Sequence, residues 1–299
     1  MPISYTPTAQ FTQLGTTGAI IMPDAPVGVT SPVQNLADAA LASRACLYSY
    51  LDWDQRIWTQ GTRANTGNTG IWVGGINAIA LSDGASPPVI NVYNLRVPTQ
   101  VNVGATVLTG AIWYYIYAYI SGGAVAIEVS ITPPEENYFH WKTGAPFTHR
   151  YLGAFICDNT GVPLPFYQLR GEHRYAFDEV TATGVNSLIP WGTITGPGTT
   201  SQSLIARIPP FSRPVRTLLR LEGVNADAAL VQQFSIASTT AAFGGTVVNP
   251  RLYAMAPLQY TQDEITIDPS AAGSVDVACS TADVTVTMYC LGWIDPGCP

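Results

Sequence analysis

Residues 110–131, GAIWYYIYAYISGGAVAIEVSI, place a tryptophan and four tyrosines within ten residues, turn on Ser-Gly-Gly, and return in small and β-branched residues. With a period of two, Ile112, Tyr114, Ile116, Ala118 and Ile120 share one face, and Trp113, Tyr115, Tyr117 and Tyr119 share the other. The return segment sorts in the same way, with Val125, Ile127, Val129 and Ile131 opposite Ala124, Ala126, Glu128 and Ser130. This pattern predicts a β-hairpin turning at Gly122-Gly123. The run is too short for a membrane helix, which needs about 20 uninterrupted apolar residues.

Working outward, the rest of the chain after residue 60 reads as short strands between Gly, Pro, Asn and Ser clusters. IWVGGINAIAL, YLGAFICDNTGVPLPFYQL, ALVQQFSIAS, RLYAMAPLQY and VTVTMYCLGW are examples. Strands without helical runs between them predict antiparallel β-sandwich or jelly-roll domains and exclude βαβ units. In VRTLLRLE, Val215, Thr217, Leu219 and Leu221 alternate with Arg216, Leu218, Arg220 and Glu222, which predicts a half-buried strand. The Gly-, Thr- and Ser-rich stretch around Thr183 is the expected boundary between two β domains, residues 60–182 and 183–299.

Two other segments precede these strands. Residues 1–30 are rich in Thr, Pro, Gln and Gly, carry Asp24 as their one charge, and read as an extended arm. Residues 31–59 are expected to hold a helix. Ser31 is the cap, Pro32 suits the first turn, Gln34 completes a capping box, and apolar residues recur at helical spacing as far as Leu51. Ala37, Ala40, Leu47 and Leu51 also fit a short heptad seam that would join sister helices; the same stripe would equally serve to pack on a sheet.

Composition narrows the function. Charged residues make up 11% of the 299, Lys142 is the one lysine, and the net charge is −7. A typical soluble domain has roughly 25% charged residues, so hydroxyls, amides or other chains must finish this surface. With no basic stripe, nucleic acid and anionic membranes are excluded as expected partners. No positive charge precedes Arg44, so a cationic secretory start is missing and synthesis in a cytoplasm is expected.

Chemical motifs are sparse. GxSxG, Walker, HExxH and GxGxxG patterns are missing. His140, His149 and His173 lie far apart, and the five cysteines (Cys46, Cys157, Cys279, Cys290, Cys298) include no CxxC pair. Of the acid pairs, Glu135/Glu136 and Asp263/Glu264 are adjacent and would point to opposite faces of a strand, and Asp52/Asp54 flank Trp53 at the expected helix end, so each reads as a solvated turn and not as a hydrolytic pair. No enzyme activity, metal or cofactor is expected. The Trp113, Tyr115, Tyr117 and Tyr119 face has three readings: core beneath a second layer, subunit interface, or a platform on which a glycan stacks.

The stretches YYIYAYISGGAVAIEVS and HRYLGAFICDNTGVPLPFYQLRGEHRY resemble structural proteins of tailed-bacteriophage virions, of the short tail-fibre, adaptor and head-decoration types. The matching positions are Tyr115, Tyr117, Gly122, Gly123, Arg150 to Gly153, Phe155, Asp158, Gly161, Phe166, Gly171 and Tyr175. VTSPVQNLADAALASRACL resembles the helix that such proteins place after a flexible arm, and ARIPPFSRPVRTLLRLEGVN with VTMYCLGWIDP resembles a closing β domain. The resemblance implies a non-enzymatic homotrimer of β-sandwich domains, assembled in the host cytoplasm and located in the virion. Its arm would be held by neighbouring virion proteins, and its alternatives are a capsid-decorating protein or a module that binds host glycan. Lack of a long repetitive shaft favours a compact adaptor, short fibre or decoration.

Overall fold

In the computed structural model, which describes residues 19–21, 51–53, 56–82, 89–135, 140–145, 147–175, 192–204, 207–211, 215–240, 246–270 and 273–295, the alternating pattern becomes twenty strands in antiparallel sheets. No helix occurs among the described residues. One sheet has the order β1 (Ala19–Ile21), β6 (Val89–Leu95), β5 (Ile76–Ser82), β2 (Leu51–Trp53). The aromatic hairpin lies in a three-stranded sheet, β10 (Arg150–Ile156), β8 (Trp113–Ser121), β9 (Ala124–Ser130). The largest sheet runs β18 (Tyr260–Ile267), β15 (Thr217–Asn225), β20 (Val284–Ile294), β12 (Glu172–Tyr175), β11 (Phe166–Leu169), β3 (Arg56–Thr59), β4 (Thr66–Val73), β7 (Thr99–Val107), with β13 (Gly192–Thr195) also paired to β20. The fourth has the order β14 (Gly198–Ser203), β19 (Ser274–Cys279), β16 (Gln232–Thr240), β17 (Thr246–Met255).

The hairpin register ends at Ser121 opposite Ala124, leaving Gly122 and Gly123 as a two-residue turn. Both have positive φ, 59° and 82°. That is the combination a twisted hairpin demands and a side chain resists. The expected half-buried strand is β15: Thr217, Leu219 and Leu221 are buried on one side, and Arg220 and Glu222 are half-exposed on the other. Leu218 departs from this alternation and is buried as well.

The expected helix is corrected at its C-terminal end. Residues 51–53 are strand paired to β5, and residues 56–59 are strand paired to β4 and β11. The local sequence explains it: Ile57 is fully buried between Arg56 and Trp58, a period-two arrangement, and β-branched and aromatic residues crowd the segment. Of the expected seam, Ala37, Ala40 and Leu47 lie outside the described residues, and Leu51 belongs to β2. Of the expected arm, Ala19–Ile21 pairs with β6 of the same chain; the remainder lies outside the described residues.

Face-to-face packing builds the core. The hairpin sheet covers the β11, β12 and β20 region of the large sheet, where Phe155 lies parallel to Phe166 at 6.5 Å and Trp113 meets the edge of Trp293 at 5.2 Å. The large sheet takes strands from both sides of the expected break near Thr183, and residues 176–191 lie outside the described residues. The junction is the pairing of β12 with β20, His173 opposite Trp293 and Arg174 opposite Gly292. Gly292 is required there. Its φ is 154°, and a Cβ on it would lie 1.8 Å from the carbonyl oxygen of His173.

Candidate functional site

The tyrosine face of the hairpin turns inward. Trp113, Tyr115 and Tyr117 are buried, and Tyr119 is half-buried. Tyr115 packs against Tyr151 and Phe211 with centroids 6.4 and 5.9 Å away, and Tyr117 lies 5.9 Å from Tyr151. The Tyr117 hydroxyl donates to the Thr132 carbonyl at 2.8 Å, and Tyr119 stacks on His149 at 5.2 Å. Burial pushes the Tyr115 phenol up to about 12, with the charge of Asp295 adding to it, and raises Tyr117 further. Both hydroxyls therefore stay protonated as donors. The reading of Trp113, Tyr115 and Tyr117 as a glycan platform is corrected, because the chain itself covers these rings. The opposite face, with Tyr114, Ile116 and Ala118, is buried too.

Beneath the hairpin lies a buried polar contact. The Tyr151 hydroxyl donates to Asp295 Oδ2 at 2.6 Å, and both residues are almost fully enclosed. Next to it, His173 is clasped between Trp293 at 3.5 Å and Phe166 at 4.4 Å, with Tyr175 edge-on at 5.4 Å. Neither ring nitrogen of His173 has a hydrogen-bond partner. Complete burial holds this imidazole well below the usual histidine range, so it is neutral packing material.

The remaining titratable groups are dispersed. Burial, and then the Arg150 charge, lowers His140 to about 4. His149 and Lys142 flank Glu128 at 3.8 and 2.7 Å. Asp263 accepts from the Tyr253 hydroxyl at 2.8 Å while Glu264 approaches Arg174 at 3.9 Å. Adjacent positions on β18 point to opposite faces, which is why this acid pair is not a hydrolytic pair. Cys157, Cys279 and Cys290 are free and buried, and burial pushes the Cys157 and Cys290 thiols up to about 12, so they are poor nucleophiles at neutral pH. Among the described residues no group of three or more His, Cys, Asp or Glu is placed to hold a metal.

Two surface features stand out instead. On the large sheet, Gln100, Trp72, Trp58, Tyr167 and Arg174 occupy directly opposed positions across β7, β4, β3, β11 and β12, and so share one face. Sequence reasoning missed this row because Trp58 falls where a helix was expected. The signal was present as Ile57-Trp58 and Ile71-Trp72, each an inward aliphatic followed by an outward tryptophan. The second feature is an apolar end of the β15 and β18 pair, where Val224 opposes Tyr260 and both are exposed. Leu230, Val231 and Leu258 are exposed on adjoining loops tied together by the Asn225 amide on the Leu230 carbonyl and the Leu258 N–H on the Asp227 carbonyl.

Comparison with protein-family models and with curated proteins finds no match to this chain.

Proposed function

We infer that this chain is a non-enzymatic structural component of a tailed-bacteriophage virion, a homotrimeric tail-fibre or adaptor protein made of β-sandwich or jelly-roll domains. Its N-terminal arm is held by neighbouring virion proteins; a capsid-decorating role is the alternative. The reading rests on the sequence resemblance and on one observation about the surface, the conformation of Leu258.

Leu258 is the third residue of the turn Ala256–Gln259, closed by the Gln259 N–H on the Ala256 carbonyl at 3.1 Å. Its φ is 54° and it is 70% exposed. A left-handed conformation costs a leucine roughly 1–2 kcal/mol, and turns of this shape take glycine or asparagine at that position. The isolated chain gains little from so exposed a side chain. Contact with another chain offsets the cost, because exposed apolar clusters on a charge-poor protein mark surfaces closed by association.

The test is position on the particle. Virions purified from cells that make this chain should contain it in multiples of three per attachment site, and antibody against it should decorate the tail or the head in images of intact particles. Finding it only in the soluble fraction of the lysate, and never on purified particles, contradicts the reading.

A further inference from the structure

We propose that the open groove between Trp58 and Trp72 is a binding site for uncharged oligosaccharide. The proposal stands apart from the virion reading, since it concerns what the outer face of the large sheet contacts. A pocket of about 560 Å³ lies there, lined in part by Trp58, Gln60, Thr62, Asn68, Trp72 and Gln100. Small-ligand sites are commonly about 300–1,000 Å³ with apolar walls and a few placed polar groups.

The strands fix the tryptophans in place. Ile57, Ile71 and Val73 are fully buried on the inner face, so alternation forces Trp58 and Trp72 outward, where both remain half-exposed. Their positions are directly opposed, and the Arg56 guanidinium lies 5.9 Å from the Trp58 ring centre, steadying it. Exposed aromatic surface on this face extends to Tyr167, the next residue in the row, at 44% exposure. A flat aromatic strip suits the C–H face of a pyranose ring.

The polar partners suit hydroxyls. The Trp58 Nε1–H donates to Gln60 Oε1 at 3.3 Å, which leaves the Gln60 NH2 to donate. Gln100 Nε2 donates to Asn68 Oδ1, which leaves the Gln100 carbonyl to accept. A sugar hydroxyl both donates and accepts, so this mixture of amides with the Thr62 hydroxyl matches it. The lining residues carry no charge and the Arg56 guanidinium at the edge rests against the Trp58 ring, so the amides and hydroxyl that face the groove fit neutral sugars.

The whole chain is titrated by calorimetry with neutral hexose and N-acetylhexosamine tetrasaccharides and with sialylated and sulfated ones, at up to millimolar sugar. At least one neutral tetrasaccharide is expected to bind, and Trp58→Ala and Trp72→Ala should each weaken it at least about tenfold. Gln100→Ala, on an exposed edge, gives a smaller loss with an unchanged unfolding midpoint. Independently of any variant, the bound sugar should protect Trp58 and Trp72 of the wild-type protein from N-bromosuccinimide oxidation, read by peptide mass. The proposal is overturned if no neutral member binds, if only acidic members bind, or if the bound sugar leaves both tryptophans as reactive as before.

Discussion

Replacing His173 with leucine should make the protein's stability less sensitive to acid. His173 is fully enclosed by Trp293, Phe166 and Tyr175, with no partner on either ring nitrogen, and burial holds its pKa well below 6.5. In the unfolded chain the imidazole takes up a proton as pH falls through about 6.5, whereas the folded chain keeps it neutral. The unfolded state then binds more protons, so stability is lost as pH falls below the unfolded value. Between about pH 7.5 and about pH 5.5 the loss due to this one residue is about 1.4 kcal/mol. His140, also lowered by burial, and His149 occur in both proteins and cancel in the comparison. The assay is urea unfolding of wild type and His173→Leu at both pH values, followed by tryptophan fluorescence and compared at equal slope. The absolute stability of the variant includes lost ring stacking and is not the readout; the difference of differences is. Parallel pH dependence in the two proteins would refute the reasoning, because it would mean that the folded state protonates His173 as readily as the unfolded one.

Gly292→Ala should destabilise the chain by at least about 1–3 kcal/mol, the range for overpacking, because the new methyl would meet a backbone carbonyl that cannot rotate away; a urea midpoint equal to wild type would remove the close β12–β20 approach. Tyr151→Phe should cost about 1.5–3 kcal/mol by taking a hydrogen bond from the buried Asp295 carboxylate, measured by the same unfolding assay. Leu258→Gly should stabilise the dissociated chain by up to about 1 kcal/mol through relief of the left-handed leucine, while weakening self-association in sedimentation velocity. If it leaves association untouched, that turn is not a contact.

The hairpin, its turn and the alternation of β15 were legible because each is a local pattern: period two in side-chain type, and a pair of glycines where φ must be positive. Which face of the hairpin met water was not legible. Both faces are apolar or aromatic, and only the cover supplied by distant residues such as Trp293 and Phe211 shows that Trp113, Tyr115 and Tyr117 are interior. The helical spacing that ends at Leu51 carried the expectation too far, since Ile57 and Trp58 obey period two and pair with strands over a hundred residues away, as Tyr167 does with Trp58. The joining of β12 to β20 has no local signature at all, as it brings together residues from either side of the stretch around Thr183. The row of Trp58, Trp72 and Tyr167 is likewise a product of register between three strands, and each residue alone looks like an ordinary strand aromatic.

The central claim is that this charge-poor β protein is completed by copies of itself. Its mass in solution at micromolar concentration, by light scattering after size exclusion, tests that most directly: the account predicts three times the 31.9 kDa of one chain, and a stable species of a single chain's mass contradicts it.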